Sequence, residues 1–392
     1  MTAALRVLAL LAFAILSQTN AWAQGFETTA EAAYVFDHNS GQVLLEHNAD
    51  LPLPPASMSK LMVLYMTFEA LRDGRLSLDT VLPVSENAMS YQGSTMFLTT
   101  RDRVSVEDLI RGIVVLSGND ASAVLAEALS PDGTEDGFAV VMTERARELG
   151  MASSTFRNSN GWPAPGHVMS MRDLGILAER IITDFPEYYP YFAETEFEFD
   201  GRAPDNRFNR NPLLYLDIGA DGLKTGRTQE AGFGLVGSVV QGDRRVTFVI
   251  TGLETADARE RESQRIVTWA FRQFAERVVL SEGDVLAVAD VFLGETGTVD
   301  LTVADDVALL LPAFGPDEIA AEISYGEPLP APLTAGTEVG EIVLRPEGMA
   351  ERRVPLVLAQ DVAQGGFLVR VRTAAEIVLE RLFRGEADLD AS

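Results

Sequence analysis

The apolar positions change period twice along the chain. Ala33–Phe36 and Gln42–Glu46 are short β-prone runs on either side of Asn39-Ser40-Gly41, which predicts a hairpin over residues 31 to 47. The next apolar stretch, Ser57 to Leu71, predicts a helix of about four turns. Leu61, Met62, Val63, Leu64, Tyr65, Met66 and Phe68 leave it almost no polar face, so it is expected inside a domain. Helical patterns recur over Val106–Ser117, Ala121–Leu129, Asp136–Leu149 and Met171–Asp184. Strand-like runs return at Phe233–Val240 and Arg245–Gly252, and a long helix is expected over Ala258–Arg277. Strands, then helices, then strands and a helix predict an α/β (α+β) domain, a mixed sheet packed by helices in which the terminal segments meet.

The pattern shifts near residue 278. From there to 365 come short β-prone runs such as "TVDLTVADDVALLLP" and "GEIVLRP", parted by Gly, Pro and Asp turns. This predicts a small all-β domain, a sandwich or partly open barrel. It carries no cluster of catalytic residue types and reads as a spacer or docking module. The tail, 366 to 392, is a candidate amphipathic helix over Leu368–Arg384. Leu368, Val371, Ala375, Val378, Leu379, Leu382 and Phe383 share one face, with Arg370, Thr373, Glu380, Arg381 and Arg384 opposite and Arg372 and Ile377 off the pattern. Such a face suits peripheral contact with the inner membrane or packing on the protein itself. The acidic end, "GEADLDAS", weighs against anionic lipid.

The first 23 residues read as an export signal. Arg6 gives a positive start, Val7–Leu16 an apolar run too short to span a bilayer, and Ala21-Trp22-Ala23 a cleavage pattern. The expected mature chain therefore starts at Gln24, with a main domain over 24 to 277 and a periplasmic location.

Composition removes several chemistries. The net charge of −27 argues against nucleic acid, whose phosphates need a basic surface. There is no cysteine, hence no thiol nucleophile, disulfide or lipid-modified cysteine. The three histidines, His38, His47 and His167, form no close zinc pair and follow no G-x-S-x-G elbow. No metal or cofactor is expected. A serine nucleophile would need a base other than histidine.

The chain has two lysines, Lys60 and Lys224; every other positive side chain is arginine. Ser57 and Lys60 stand at i and i+3 at the start of the buried helix, so the amine can approach the hydroxyl. Burial can drive a lysine to its neutral, proton-accepting form, which arginine does not reach. Ser-x-x-Lys alone is a weak motif. Ser117-Gly118-Asn119 and Lys224-Thr225-Gly226, the latter expected just before a strand, complete a three-part set in order. Both lysines fall inside it.

With these boxes, the chain resembles the low-molecular-mass penicillin-binding proteins that are D-alanyl-D-alanine carboxypeptidases, the peptidase S11 family. "AAYVFDHNSGQVLLEHNAD", "PASMSK", "GSTMFL", "LIRGIVVLSGNDA" and "GLKTGRT…AGFGLV" carry the likeness, which extends to "LPAPLTAGTEVGEIVL" in the β domain. The resemblance implies a serine β-lactamase/transpeptidase-like catalytic domain with a mainly antiparallel sheet. It implies Ser57 as the acylated nucleophile, Lys60 as its base, Ser117 as a proton relay and Asn119 as the residue orienting Lys60 and the substrate amide. Lys224 would hold the positive field, and Thr225, beside Gly226, would bind the substrate's terminal carboxylate with Arg259. The backbone N–H groups of Ser57 and Arg227 would form the oxyanion hole; Arg227 stands where the family often has histidine. The implied substrate is a peptidoglycan pentapeptide ending in D-Ala-D-Ala, and β-lactam antibiotics would acylate Ser57.

Three alternatives remain at this level. A serine β-lactamase would need a deacylating Glu-x-x-x-Asn context, absent between Ser117 and Lys224. A D,D-endopeptidase fits the boxes but less well the added β domain. An inactive penicillin-binding scaffold conflicts with the intact boxes.

Overall fold

The computed structural model describes residues 26–202, 206–313, 318–346, 349 and 351–371. The expected export signal, and the expected tail helix beyond Val371, lie outside the described residues; residues 367–371 are helical. The chain divides into two compact units between Gln273 and Phe274.

The first unit is built on a five-stranded sheet in which every pairing is antiparallel. Its strands are β1 (Ala32–Asp37), β2 (Val43–His47), β5 (Ala220–Thr228), β6 (Gly232–Gln241) and β7 (Arg244–Leu253), in the order β2-β1-β7-β6-β5. The expected hairpin forms, and the N-terminal strands meet the late ones through β1 and β7. A short ribbon, β3 (Val81–Pro83) with β4 (Arg103–Ser105), lies apart from this sheet.

Both faces of the sheet are covered, so β1 is buried along its whole length. Its alternation sorts the two cores. Ala33 and Val35 join Leu235, Val239, Val246, Phe248 and Ile250 beneath α7 (Ala256–Arg272), through Ile266, Val267 and Ala270. Ala32, Tyr34 and Phe36 face the helical side with Val236 and Val249. Gly237 is needed where β6 passes Phe248, because a Cβ there would stand 2.4 Å from the ring.

The helical side gathers around α1 (Lys60–Arg72), which is buried on nearly every face, as its apolar run predicts. Around it stand α2 (Glu86–Ser90), α3 (Val106–Val114), α4 (Asn119–Leu129), α5 (Glu135–Glu148) and α6 (Met171–Asp184). Ser105, Thr134 and Ser170 fix the starts of α3, α5 and α6 by accepting a hydrogen bond from the third helical N–H.

Two expectations about the later strands change. The helix expected over Ala258–Arg277 ends at Arg272, and Phe274–Leu280 forms a strand, β8. Val278 and Val279 favour extended backbone, and the strand pairs antiparallel with β11 (Val307–Pro312), Val279 falling at the irregularity between Val278 and Leu280. Lys224-Thr225-Gly226, expected just before a strand, lies inside β5 at the sheet edge.

The second unit is all-β in its described strands. Beside the β8–β11 pair it holds β9 (Ala287–Phe292), β10 (Thr298–Thr302), β12 (Ala320–Tyr325), β13 (Leu329–Pro330), β14 (Glu338–Arg345) and β15 (Arg352–Leu358), in the order β12-β14-β15-β10-β9-β13. Ala289, Val299, Leu301, Leu311, Ile342, Leu356 and Leu358 form its separate core.

Candidate active site

A cleft of about 720 Å³ opens where the head of α1, the loop between α3 and α4, and β5 converge. Ser57, Ser117, Asn119, Thr225, Gly226, Arg227 and Arg259 all line it. Ser57 is not in the α-helix proper. It sits in a single 3₁₀ turn, Ala56–Ser59, immediately before α1. The turn leaves Ser57 half-buried at the cleft while Lys60 is fully buried behind it. Gly161 packs against this turn with φ +79°, and a Cβ there would lie 1.8 Å from the Ala56 carbonyl oxygen.

The Lys60 amine donates to three acceptors: Ser57 Oγ at 2.9 Å, Asn119 Oδ1 at 2.7 Å and the Asn160 carbonyl at 2.8 Å. Burial, and then the Arg210 charge, lower its pKa from 10.5 to about 7, while Asp120 and Glu135 pull the other way. The partner set then directs the chemistry. A neutral amine keeps two N–H donors and gains one lone pair. Asn119 Oδ1 and the Asn160 carbonyl can only accept, so they take the two donors. The lone pair is left for the one partner that can donate, the Ser57 hydroxyl.

Lys224 is buried in β5 and donates to Ser117 Oγ at 2.9 Å and to the Thr225 carbonyl at 3.1 Å. Burial, followed by the charges of Lys60, Arg210 and Arg259, holds its pKa well below the ordinary value. Ser117 takes a positive φ of 61° between the helices, and Asn119 Nδ2 donates to the Gln92 carbonyl at 2.7 Å.

Arg259 projects from α7 to the same cleft, 7% exposed, and donates to the Arg210 carbonyl at 3.0 Å. Its buried Nε has no hydrogen-bond partner among the described residues. Phe233, the register partner of Arg227 across β5 and β6, lies under both guanidinium groups, 5.0 Å from Arg227 and 6.0 Å from Arg259. In a protein of net charge −27, the charged lining of this cleft is wholly arginine.

All nine residues expected at the site therefore lie in this cleft or directly behind it. Sequence reasoning missed Asn160 and Arg210. Asn160 enters through its backbone oxygen, which no side-chain motif reports. Its loop is tied down by Glu135, which accepts from Ser159 N–H at 2.9 Å and Ser159 Oγ at 2.6 Å. Arg210, in "NRFNRNP", has no sequence feature separating it from the other arginines. His167 is no catalytic base. Its Nδ1 accepts from the Arg157 N–H at 3.1 Å, so Nε2–H donates to Ser59 Oγ at 2.8 Å. Burial, then Arg157 and Lys60, lower its pKa to about 4.

A half-exposed serine backed by a buried lysine, a second serine–lysine pair and an arginine-lined cleft define an active-serine acyl-transfer site of the penicillin-binding type. Residues 17–255 match the D-alanyl-D-alanine carboxypeptidase family, peptidase S11, and residues 274–364 match the C-terminal domain of penicillin-binding protein 5. The chain belongs to that carboxypeptidase family. It is 35% identical over 351 residues to the D-alanyl-D-alanine carboxypeptidase DacC of Escherichia coli K12, covering 87% of this chain and 86% of that one. Penicillin binding protein 5 from Haemophilus influenzae superposes with a TM-score of 0.73 at 31% identity, covering 87% of this chain and 100% of its own. Penicillin-Binding Protein D2 from Listeria monocytogenes, in its ampicillin-bound form, matches with a TM-score of 0.57 at 31% identity over 63% of this chain and 99% of its own.

Proposed function

We propose that the protein is a serine-type D-alanyl-D-alanine carboxypeptidase that removes the last D-alanine from peptidoglycan stem pentapeptides. The observation that carries this reading is the fully buried Lys60, 2.9 Å from Ser57 Oγ, with its other partners able only to accept.

Lys60 takes the proton as Ser57 Oγ bonds to the carbonyl carbon between the two D-alanines. The backbone N–H groups of Ser57 and Arg227 bind the developing oxyanion. Collapse of the tetrahedral intermediate breaks the C–N bond, and Ser117 relays a proton to the departing amine. Asn119 holds Lys60 in line. The terminal carboxylate binds at Thr225 and Arg259, whose free Nε supplies a donor for it. That anion favours the ammonium form of Lys224 and with it the positive field beside Ser117. Water then cleaves the Ser57 ester and releases the shortened peptide. β-Lactams acylate Ser57 in the same way.

On the same reading residues 1–23 export the chain to the periplasm, and the tail beyond residue 366 touches the inner membrane peripherally. Fractionation of the full chain against one ending at residue 365 tests the membrane contact.

The activity is tested with residues 24–392, a fluorescent penicillin and a D-Ala-D-Ala-ended pentapeptide. Stable labelling and D-alanine release, both lost in Ser57→Ala, are expected. Rapid β-lactam turnover without D-alanine release would make the protein a β-lactamase, and no labelling at all would remove the acyl-enzyme.

A further inference from the structure

A single buried carboxylate stands behind both oxygens that hold the Lys60 amine. Glu135, 7% exposed, is the first residue of α5. Its Oε1 accepts from the Ser159 N–H at 2.9 Å and the Ser159 hydroxyl at 2.6 Å. Its Oε2 accepts from the Tyr91 hydroxyl at 2.7 Å and from Asn87 Nδ2 at 3.2 Å. Four donors on four lone-pair sites are the coordination of an ionised carboxylate, and the head of a helix favours that charge. No lysine or arginine pairs with it among the described residues.

Two of these partners stand one residue from a carbonyl that governs Lys60. Ser159 precedes Asn160, whose carbonyl accepts from the amine at 2.8 Å. Tyr91 precedes Gln92, whose carbonyl accepts from Asn119 Nδ2 at 2.7 Å and so turns Asn119 Oδ1 toward the amine. Asn119 Oδ1 and the Asn160 carbonyl are the two acceptors that leave the Lys60 lone pair for Ser57. Ser122 Oγ steadies the first segment further, donating to the Ser159 carbonyl at 3.0 Å. The other anion acting on Lys60, Asp120, instead accepts from the main-chain N–H groups of Met96, Leu98 and Ala121.

We propose that Glu135 is a positioning residue for acyl transfer: its carboxylate braces the two segments whose oxygens aim the Lys60 lone pair at Ser57, and its charge acts on the amine they hold. The proposal rests on the acyl-enzyme reading with Lys60 as base, and it places a control of that base outside the lining of the cleft. The charged groups acting with or against Lys60 are Asp120 and Glu135, which favour its ammonium form, and Arg210 and Lys224, which oppose it. His167, with a pKa of about 4, is neutral above pH 5. Removing the Glu135 charge therefore frees the lone pair at lower pH. The charges acting on Lys224 are those of Lys60, Arg210 and Arg259, so a midpoint that follows Glu135 belongs to Lys60.

The test separates charge from reach. Stopped-flow acylation by a fluorescent penicillin is followed from pH 5 to pH 9, with the rate read on the molecules that label, so that unfolded protein does not contribute. Glu135→Gln keeps the length and loses the charge. Its midpoint should fall below that of the wild type, so that its rate at pH 5.5, relative to its own plateau, is about three- to tenfold higher. Glu135→Asp keeps the charge and shortens the reach. Its midpoint should stay, and its plateau should fall about tenfold, the scale of a slightly misplaced reacting group. An unmoved midpoint in Glu135→Gln would overturn the action of the charge, and a wild-type plateau in Glu135→Asp would overturn the bracing. A lowered plateau with an unmoved midpoint in both variants would leave Glu135 a part of the fold alone. A flat wild-type profile would remove Lys60 as the base, and absence of labelling would remove the acyl-enzyme; either result takes this role of Glu135 with it.

Discussion

The head of α1 and the middle of β5 each present a buried lysine to a serine at 2.9 Å, and the two lysines are differently placed to act. Lys60 is surrounded by acceptors and has two carboxylates, Asp120 and Glu135, that partly offset its burial. Its pKa comes to rest at about 7, where either protonation state is accessible. Lys224 has no such offset: burial, Lys60, Arg210 and Arg259 all push one way. Lys60 thus stands where both of its protonation states are within reach, whereas every charge around Lys224 works against its cation. What separates a base from a field-supplying cation is the set of groups around it.

The sharpest break of this comparison is Lys60→Arg. Arginine keeps the charge and loses the ability to shed it, so penicillin acylation should fall about a thousandfold, the scale of a lost general base. Acylation at the wild-type rate would remove lysine as the base. Next in size is pH. A base must be neutral, so acylation should rise with pH and level off above about 7. From that plateau down to pH 5 it should drop about a hundredfold, tenfold for each pH unit below the pKa of a single titrating group. A flat stopped-flow profile over that window would contradict the lone-pair argument. Lys224→Arg should cost less, about tenfold, because a cation remains near Ser117. A loss equal to that of Lys60→Arg would mean that Lys224 also transfers protons. Arg259→Ala should have the smallest effect and a selective one: about tenfold in peptide kcat/KM, the scale of one charged hydrogen bond, with β-lactam acylation less affected. Equal losses on both would place Arg259 in the fold of the cleft and not on the carboxylate.

The chain's economy in lysine made much of this site legible in one dimension. Ser57 and Lys60 are neighbours through local helical spacing, so the pair could be read directly. Ser117 to Asn119 and Lys224 to Gly226 could be read as boxes, because the residue types are distinctive and the order is fixed. The secondary structure around them was read less finely. Ser57 lies in a 3₁₀ turn, Lys224 within a strand, and the helix after β7 gives way to β8. Each difference is a place where pairing or packing with a distant segment outweighs local propensity.

By itself the sequence determined the chemistry available: no thiol, two lysines set beside serines, and a buried helix to carry the first pair. Only the tertiary structure decided how that chemistry is tuned. The Asn160 carbonyl that completes Lys60's acceptor set comes from a loop 100 positions away. The arginines that make the cleft positive within an acidic protein come from β5, from α7 and from the segment before β5. Residue identity is a local property of the chain. Proton affinity and field depend on burial and distance, which exist only once the chain has folded.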